Sequence, residues 1–255
     1  MSVAALVPAA GAGTRLGLGP KAFLRVGGAT LLEHAADLLA PFADELAFAV
    51  PAGREADARA LLGDERVDPG DPGRRVPIAI TVGGARRQET VDRLLDVTRA
   101  EWVLVHDAAR PFTPASVVAA VVDATRRVGA ATAGLPVADT LHDVQRDVPV
   151  ARDALRAVQT PQGFARTTLR EAHRAARAAS LEATDDAQLV RRLGLEVAWV
   201  QGSPWSHKLT GPADLPWLEA LARARADEAR ADAAVRDAAG NDASPGDATT
   251  ARTGR

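Results

Sequence analysis

Short apolar runs alternate with longer amphipathic stretches along most of the chain, a pattern that predicts strands followed by helices. Val3–Pro8 is a run of small and apolar residues that ends in a Gly-rich turn. Residues 30–39 (TLLEHAADLL) place apolar side chains at helical spacing, with Thr30 as the N-cap. Residues 46–50 are apolar again and Glu55–Leu62 reads as a polar helix. Residues 63–76 are rich in Gly, Pro, Asp and Arg and read as a surface loop. A strand is expected at 78–82, a helix at 89–97, a buried strand at Trp102–Val105 and a helix at 114–128 with proline in its first turn. This order argues for a Rossmann-like α/β fold, a mostly parallel sheet flanked by helices on both faces.

The rhythm breaks over residues 137–159, a polar, weakly alternating stretch with proline near its middle. It reads as a projecting β-arm whose exposed edge is available to a partner subunit. Helices are then expected at 167–179 and 185–193, a strand at 197–200 and a last helix from about 212 to 222. Beyond residue 222 Val235 is the only bulky apolar residue; this tail (223–255) reads as a solvated helix extension followed by disorder from 240 onward. A catalytic domain over 1–222, with no second catalytic domain after it, is therefore expected.

Composition narrows the chemistry. The chain has 255 residues, 47% of them hydrophobic, enough for a sizeable core, and no run long enough to span a membrane. Its N-terminus lacks the basic flank of a signal peptide, and a cytoplasmic address is expected. Cysteine is absent, which excludes disulfides and thiolate metal sites, and the five histidines show no ligand-like pairing. A net charge of −2 with interspersed signs and 4% aromatics argue against a nucleic-acid partner. Of the 31 basic residues only Lys21 and Lys208 are lysines. Two readings of that scarcity stand: chance, or two places where a compact ammonium is needed and a planar guanidinium does not fit.

The strongest chemical signal follows the first strand: Pro8, Ala9, Ala10, Gly11, Ala12, Gly13, Thr14 and Arg15, then Gly19, Pro20 and Lys21. Closely spaced glycines let the backbone approach an anion and turn its N–H groups inward. Ala9 and Ala10 leave room for a base or ribose at the strand's carboxyl end, and Arg15 and Lys21 add charge for a triphosphate. The dinucleotide fingerprint GxGxxG fails at Leu16, and the P-loop fails because Gly-Pro-Lys-Ala replaces Gly-Lys-Ser/Thr. In VHDAARPF, Asp107 and Arg110 follow a strand; the carboxylate suits substrate hydroxyls or a Mg²⁺ ion, the guanidinium suits a phosphate, and an Asp–Arg pair closing a loop is the structural alternative.

PAAGAGTRLGLGPKAFL resembles the nucleotide-binding signature of the sugar-phosphate nucleotidylyltransferases, and within them the 2-C-methyl-D-erythritol 4-phosphate cytidylyltransferase family of the non-mevalonate isoprenoid pathway. The likeness continues in family order through residues 82–91 (VGGARRQETV, with Thr90 where the family has Ser), VHDAARP, 136–141, QTPQGF, TDDA and HKLT. The resemblance implies the nucleotidylyltransferase fold, a homodimer joined by the 137–159 arm, and transfer of CMP from CTP to a polyol phosphate with Mg²⁺ held mainly by the triphosphate. It also implies that Lys21, Lys208 and Arg15 face the α-phosphate. Nucleotide contacts fall on Pro8 to Gly13, Gly83, Gly84, Arg87, Thr90, Asp107 and Ala108. Thr90 either bonds the cytosine or caps a helix. Lys208 is read as lying on a strand. Substrate contacts fall on Asp107, Arg110, Thr140, Thr160, Asp185 and, across the dimer, Arg152. Asp185 either supports the site from behind or is simply the acid at a helix N-terminus. The chain departs from the family at Ala151 and Arg156, where Asp and Trp are usual, which puts the arm's packing in question. Ribitol-5-phosphate cytidylyltransferases share most of these motifs, and a non-catalytic nucleotide binder is the alternative from another class.

Overall fold

A computed structural model describes residues 1–241 apart from positions 12, 14–16 and 18. In chain order the elements are β1 (Val3–Pro8), β2 (Arg25–Val26), β3 (Ala29–Thr30), α1 (Leu31–Leu39), β4 (Glu45–Val50), α2 (Glu55–Leu62), β5 (Glu65–Asp68), β6 (Asp71–Val82), α3 (Arg87–Val97), β7 (Trp102–Val105) and α4 (Ala115–Val128). There follow β8 (Ala130–Pro136), β9 (Leu141–Asp143), β10 (Val148–Val150), β11 (Arg156–Ala165), α5 (Arg166–Ala178), α6 (Asp186–Arg192), β12 (Ala198–Gln201) and α7 (Asp214–Asn241). Among the described residues eight strands form one sheet in the order β12-β8-β11-β7-β1-β4-β6-β5. The pairs β7-β1, β1-β4, β4-β6 and β12-β8 are parallel, while β11 and β5 run antiparallel to their neighbours.

The expected α/β architecture is therefore present, and its cause is legible in β1. Val3, Ala5 and Val7 point to one side of the sheet, into a cluster with α1, α4 and the start of α7. Ala4 and Leu6 point to the other, against α3, α5 and α6. A strand covered on both faces needs apolar residues at consecutive positions, so it reads as a continuous run. Helix α1 begins where expected: Thr30 Oγ1 accepts the Glu33 N–H at 3.2 Å and the Glu33 carboxylate accepts the Thr30 N–H at 2.7 Å. None of the described helices is long and apolar enough to cross a membrane.

Several expectations need correction, and one pair of strands was not expected. Residues 63–76 are not a loop: β5 and β6 form an antiparallel hairpin with Arg66 opposite Val76 and Val67 opposite Arg75. Being at the edge, it is held by backbone pairing and by Arg74, which donates to Asp68 (2.9 Å) and to the Ala40 carbonyl (2.7 Å), so its polar composition conceals it. About half of β8 and β11 is Ala, Gly and Gln, types that carry little strand signal. A Cβ at Gly163 would stand 2.0 Å from Thr125 Oγ1 and one at Gly134 2.7 Å from Trp199, so close packing selected the small residues. Lys208 is not on a strand. It lies in an irregular segment held to the loop after β7 by the Leu209 N–H donating to Ala109 O (2.8 Å). Helix α7 starts at Asp214 and continues to Asn241, so the expected helical extension beyond 222 is present, and positions 240 and 241 of the expected disordered end are helical too. The remainder of that end, 242–255, lies outside the described residues.

Of the arm expected at 137–159, residues 141–150 form a hairpin, whereas 156–159 belong to β11 of the main sheet. β9 and β10 pair antiparallel, Leu141 opposite Val150 and Asp143 opposite Val148, and stand apart from the main sheet.

Candidate active site

The loops that leave β1, β6 and β7 converge at the carboxyl ends of these parallel strands, where an α/β sheet presents its open edge to ligands. Two backbone bonds set their spacing: Ala9 N–H donates to Ala49 O at 2.8 Å and Gly83 N–H to Val50 O at 2.9 Å. Between them lies a cleft of about 220 Å³. Pro8, Ala9, Ala10, Gly11, Lys21, Gly84, Arg87, Thr90, Asp107, Ala108 and Lys208 all border it, so residues 200 positions apart in the chain meet there. Ala12 and Arg15 lie outside the described residues.

The glycines divide by role. Gly13 has φ +68°, and a Cβ there would stand 2.1 Å from Gly19 O, so the loop's shape demands glycine. Gly83 does not border the cleft; its missing side chain makes room for Ala10, whose Cβ would otherwise be met at 2.1 Å. At Gly11 a Cβ would meet no described atom within 4 Å. Folding among those residues thus gives no reason for glycine at 11, whereas close approach of a ligand does. Thr90 is not a cap, because α3 starts after Arg86; its hydroxyl accepts the Gly84 N–H (3.0 Å) and donates to Arg86 O (2.9 Å), stapling the turn to the helix.

Both lysines border the cleft. Lys21 Nζ donates to Thr210 O (3.0 Å) and Leu209 O (3.3 Å), the residues just after Lys208. Lys208 Nζ donates to Asp107 Oδ2 at 2.6 Å, and Arg87 Nε approaches Asp107 Oδ1 at 3.3 Å. Burial alone would raise the Asp107 pKa, but the charges of Arg87 and Lys208 outweigh it and hold the carboxyl well below the usual carboxylate range. Beneath it His106 is fully buried. Thr160 Oγ1 accepts the Asp107 N–H (3.0 Å) and lies 3.2 Å from His106 Nδ1. Burial pushes the imidazole down to about 4, so His106 is neutral at physiological pH.

A second recess of about 210 Å³ shares Arg87, Asp107 and Lys208 with the cleft and adds Arg110, Thr160 and Asp185. Arg110 makes no ion pair with Asp107. Its two terminal nitrogens donate to Ser206 O (2.7 Å) and Val158 O (3.2 Å), tying β7's loop to β11 and to the Lys208 segment. Asp185 is the N-cap of α6, accepting the Gln188 N–H at 2.8 Å, which realises the helix-terminus reading. Thr140 and Arg152 border neither space. Both are exposed, and Arg152 donates to Ala138 O at the arm's own base.

Sequence reasoning missed Asp186 and His173. Arg87 also donates to Asp186 Oδ2 (2.7 Å), whose Oδ1 accepts from His173 Nε2 (2.9 Å). The available signal was His173 itself, a polar residue on the apolar stripe Leu169, Ala172, Ala176 of α5.

The family model described as 2-C-methyl-D-erythritol 4-phosphate cytidylyltransferase matches residues 3–224. The chain belongs to that family. A protein of that name from Deinococcus radiodurans is 49% identical over 221 residues, 86% of this chain and 88% of the relative. One from Thermus thermophilus is 48% identical over 228 residues, 88% of this chain and 98% of the relative. The crystal structure of 2-C-methyl-D-erythritol 4-phosphate cytidylyltransferase from Thermus thermophilus superposes with a TM-score of 0.72 at 45% identity, covering 88% of this chain and 100% of that one. The family match thus extends over the whole sheet and ends within α7, covering every described cleft residue.

Proposed function

We propose that this chain transfers CMP from CTP to 2-C-methyl-D-erythritol 4-phosphate, giving 4-diphosphocytidyl-2-C-methyl-D-erythritol and pyrophosphate. The observation that carries the reading is that both of the chain's lysines border one glycine-loop cleft, in a member of this family. A phosphate oxygen of the acceptor attacks the α-phosphorus of CTP, the new P–O bond forms, and the bond to the β-phosphate breaks with pyrophosphate leaving. The acceptor phosphate is already ionised near neutral pH, so no side chain has to remove a proton. The protein's task is alignment and positive charge around the crowded phosphorus. Lys21 and Lys208 supply that charge, with Arg15 as the third cation of the proposal. Asp107, held as a carboxylate, fixes Lys208 from behind.

Magnesium enters this reading as the counter-ion of the triphosphate. Among the described residues Asp107 is the one carboxylate bordering the cleft, and both its oxygens are engaged by Lys208 and Arg87. Among the described residues no three His, Asp or Glu side chains converge as a metal cage. The donor set does not fit a protein-held ion, and no step is assigned to one.

The same proposal includes a catalytic domain over 1–222 with the remainder as an appendage, a cytoplasmic address, Thr140 as an acceptor contact, and a homodimer in which the arm brings Arg152 to the partner's acceptor phosphate. Support for the dimer is the exposure of the arm, where Val144 is 85% and Val148 45% accessible.

Pyrophosphate release with Mg²⁺ and CTP, comparing methylerythritol 4-phosphate with ribitol 5-phosphate, tests the reading. A strong preference for the first is expected. Preference for the second moves the chain to polyol-phosphate activation with the same two-lysine chemistry, and CTP binding without turnover on either acceptor replaces the enzyme with a nucleotide-binding protein.

A further inference from the structure

Five side chains form one unbroken line from the cleft into the core: Lys208, Asp107, Arg87, Asp186 and His173. The inner two are each 1% exposed and border neither the cleft nor the adjoining recess. Asp186 is aimed by its own backbone. Its N–H and that of Ala187 both donate to Gln162 Oε1 at 3.1 Å, which pins the start of α6 to β11 and turns the carboxylate inward. Each carboxylate oxygen then has one partner, Arg87 at 2.7 Å and His173 at 2.9 Å.

We propose that His173 is a positioning residue for cytidylyl transfer, acting through Asp186 and Arg87 on the Asp107–Lys208 pair. The proposal rests on the transfer reading given above. A buried network is set by all its members together, so losing one donor rearranges the rest. Without the His173 N–H, one Asp186 oxygen is buried with no donor, and the carboxylate turns to present both oxygens to Arg87. The guanidinium is thereby drawn off Asp107. Asp107 then answers only to Lys208 and holds the ammonium away from the phosphorus under attack. The loss falls on the transition state, while CTP is still held by the glycine loop.

The test compares His173→Leu, which fills the space without a donor, with His173→Gln, whose amide N–H reaches the place of Nε2. For His173→Leu, kcat is expected to fall about 30-fold with KM for CTP within about twofold of wild type, and His173→Gln to recover within about threefold. No loss in His173→Leu, or an equal loss in both variants, overturns the proposal. A second readout is independent of turnover: the Arg87 Nε–H NMR resonance is expected to be protected from solvent exchange in the wild type and in His173→Gln, and exposed in His173→Leu. Unchanged protection in His173→Leu also overturns it. Should the wild type release no pyrophosphate with either acceptor, the transfer reading fails by itself, and the resonance still decides whether His173 sets the Arg87 geometry.

Discussion

The cleft and the arm are built on opposite principles. Around the cleft the charged groups are held by partners far away in the chain: Lys208 by Asp107, Lys21 by the carbonyls of residues 209 and 210, Arg87 by Asp186. Along the arm the polar contacts are local. His142 pairs with Asp147, the N–H groups of Gln145 and Arg146 turn back onto Asp143, and Arg152 reaches Ala138. Long-range partners fix the cleft's groups relative to one another, and local partners fix only the arm's own shape. The proposed nucleotide site can therefore be preorganised within one chain, while the proposed role of the arm requires a second surface to meet it.

The largest expected effect lies in the cleft. Lys21→Ala should lower kcat by about 10³-fold, as loss of one group aimed at developing charge does, with the melting temperature little changed. Near-normal turnover would remove Lys21 from the mechanism. Next in size is the response to acid at the cleft floor. Folded His106 titrates at about 4 against an ordinary 6.5, so between those values the unfolded chain takes up a proton that the folded chain refuses. Stability should then decline as pH falls from 6.5 to 4, by up to about 3 kcal/mol, and His106→Gln should flatten that slope in urea titrations at several pH values. An unchanged slope would assign the acid sensitivity elsewhere.

A smaller loss, about 30-fold in kcat, is expected for Lys208→Arg, because a planar fork paired with Asp107 cannot present the same point charge. Full activity there would make the scarcity of lysine irrelevant. The smallest effect probes the arm: Arg152→Ala should raise KM for the acceptor about tenfold and leave KM for CTP unchanged. If sites are shared across a dimer, mixing Lys21→Ala with Arg152→Ala subunits should give roughly a quarter of wild-type turnover at acceptor well below KM, where Arg152→Ala sites contribute little, since half the dimers are mixed and each has one intact site. No restoration after verified subunit exchange would end the contrast between a self-sufficient cleft and a shared arm.

Much of this architecture was readable before any coordinates. The continuous apolar run at 3–8 and the capping box at Thr30 and Glu33 depend on neighbours a few residues away, and local pattern records such needs directly. The hairpin pairing of 65–68 with 71–77 was invisible because edge pairing is made by backbone groups that every sequence carries. Strands β8 and β11 were missed for the converse reason, since their small residues answer to Trp199 and Thr125 in other elements.

The site divides in the same way. Sequence by itself determined the chemistry: a glycine loop, two lysines, an Asp after a strand and an arm too polar for a core. Tertiary structure decided which groups touch. It gave Asp107 to Lys208 and Arg87, tied Arg110 to backbone carbonyls, made Asp185 a cap, and turned its neighbour Asp186 into the core against His173. Adjacent aspartates are identical to any local pattern. Only the phase of α6, set by Gln162 on a different strand, distinguishes the one that faces solvent from the one whose charge must be matched inside.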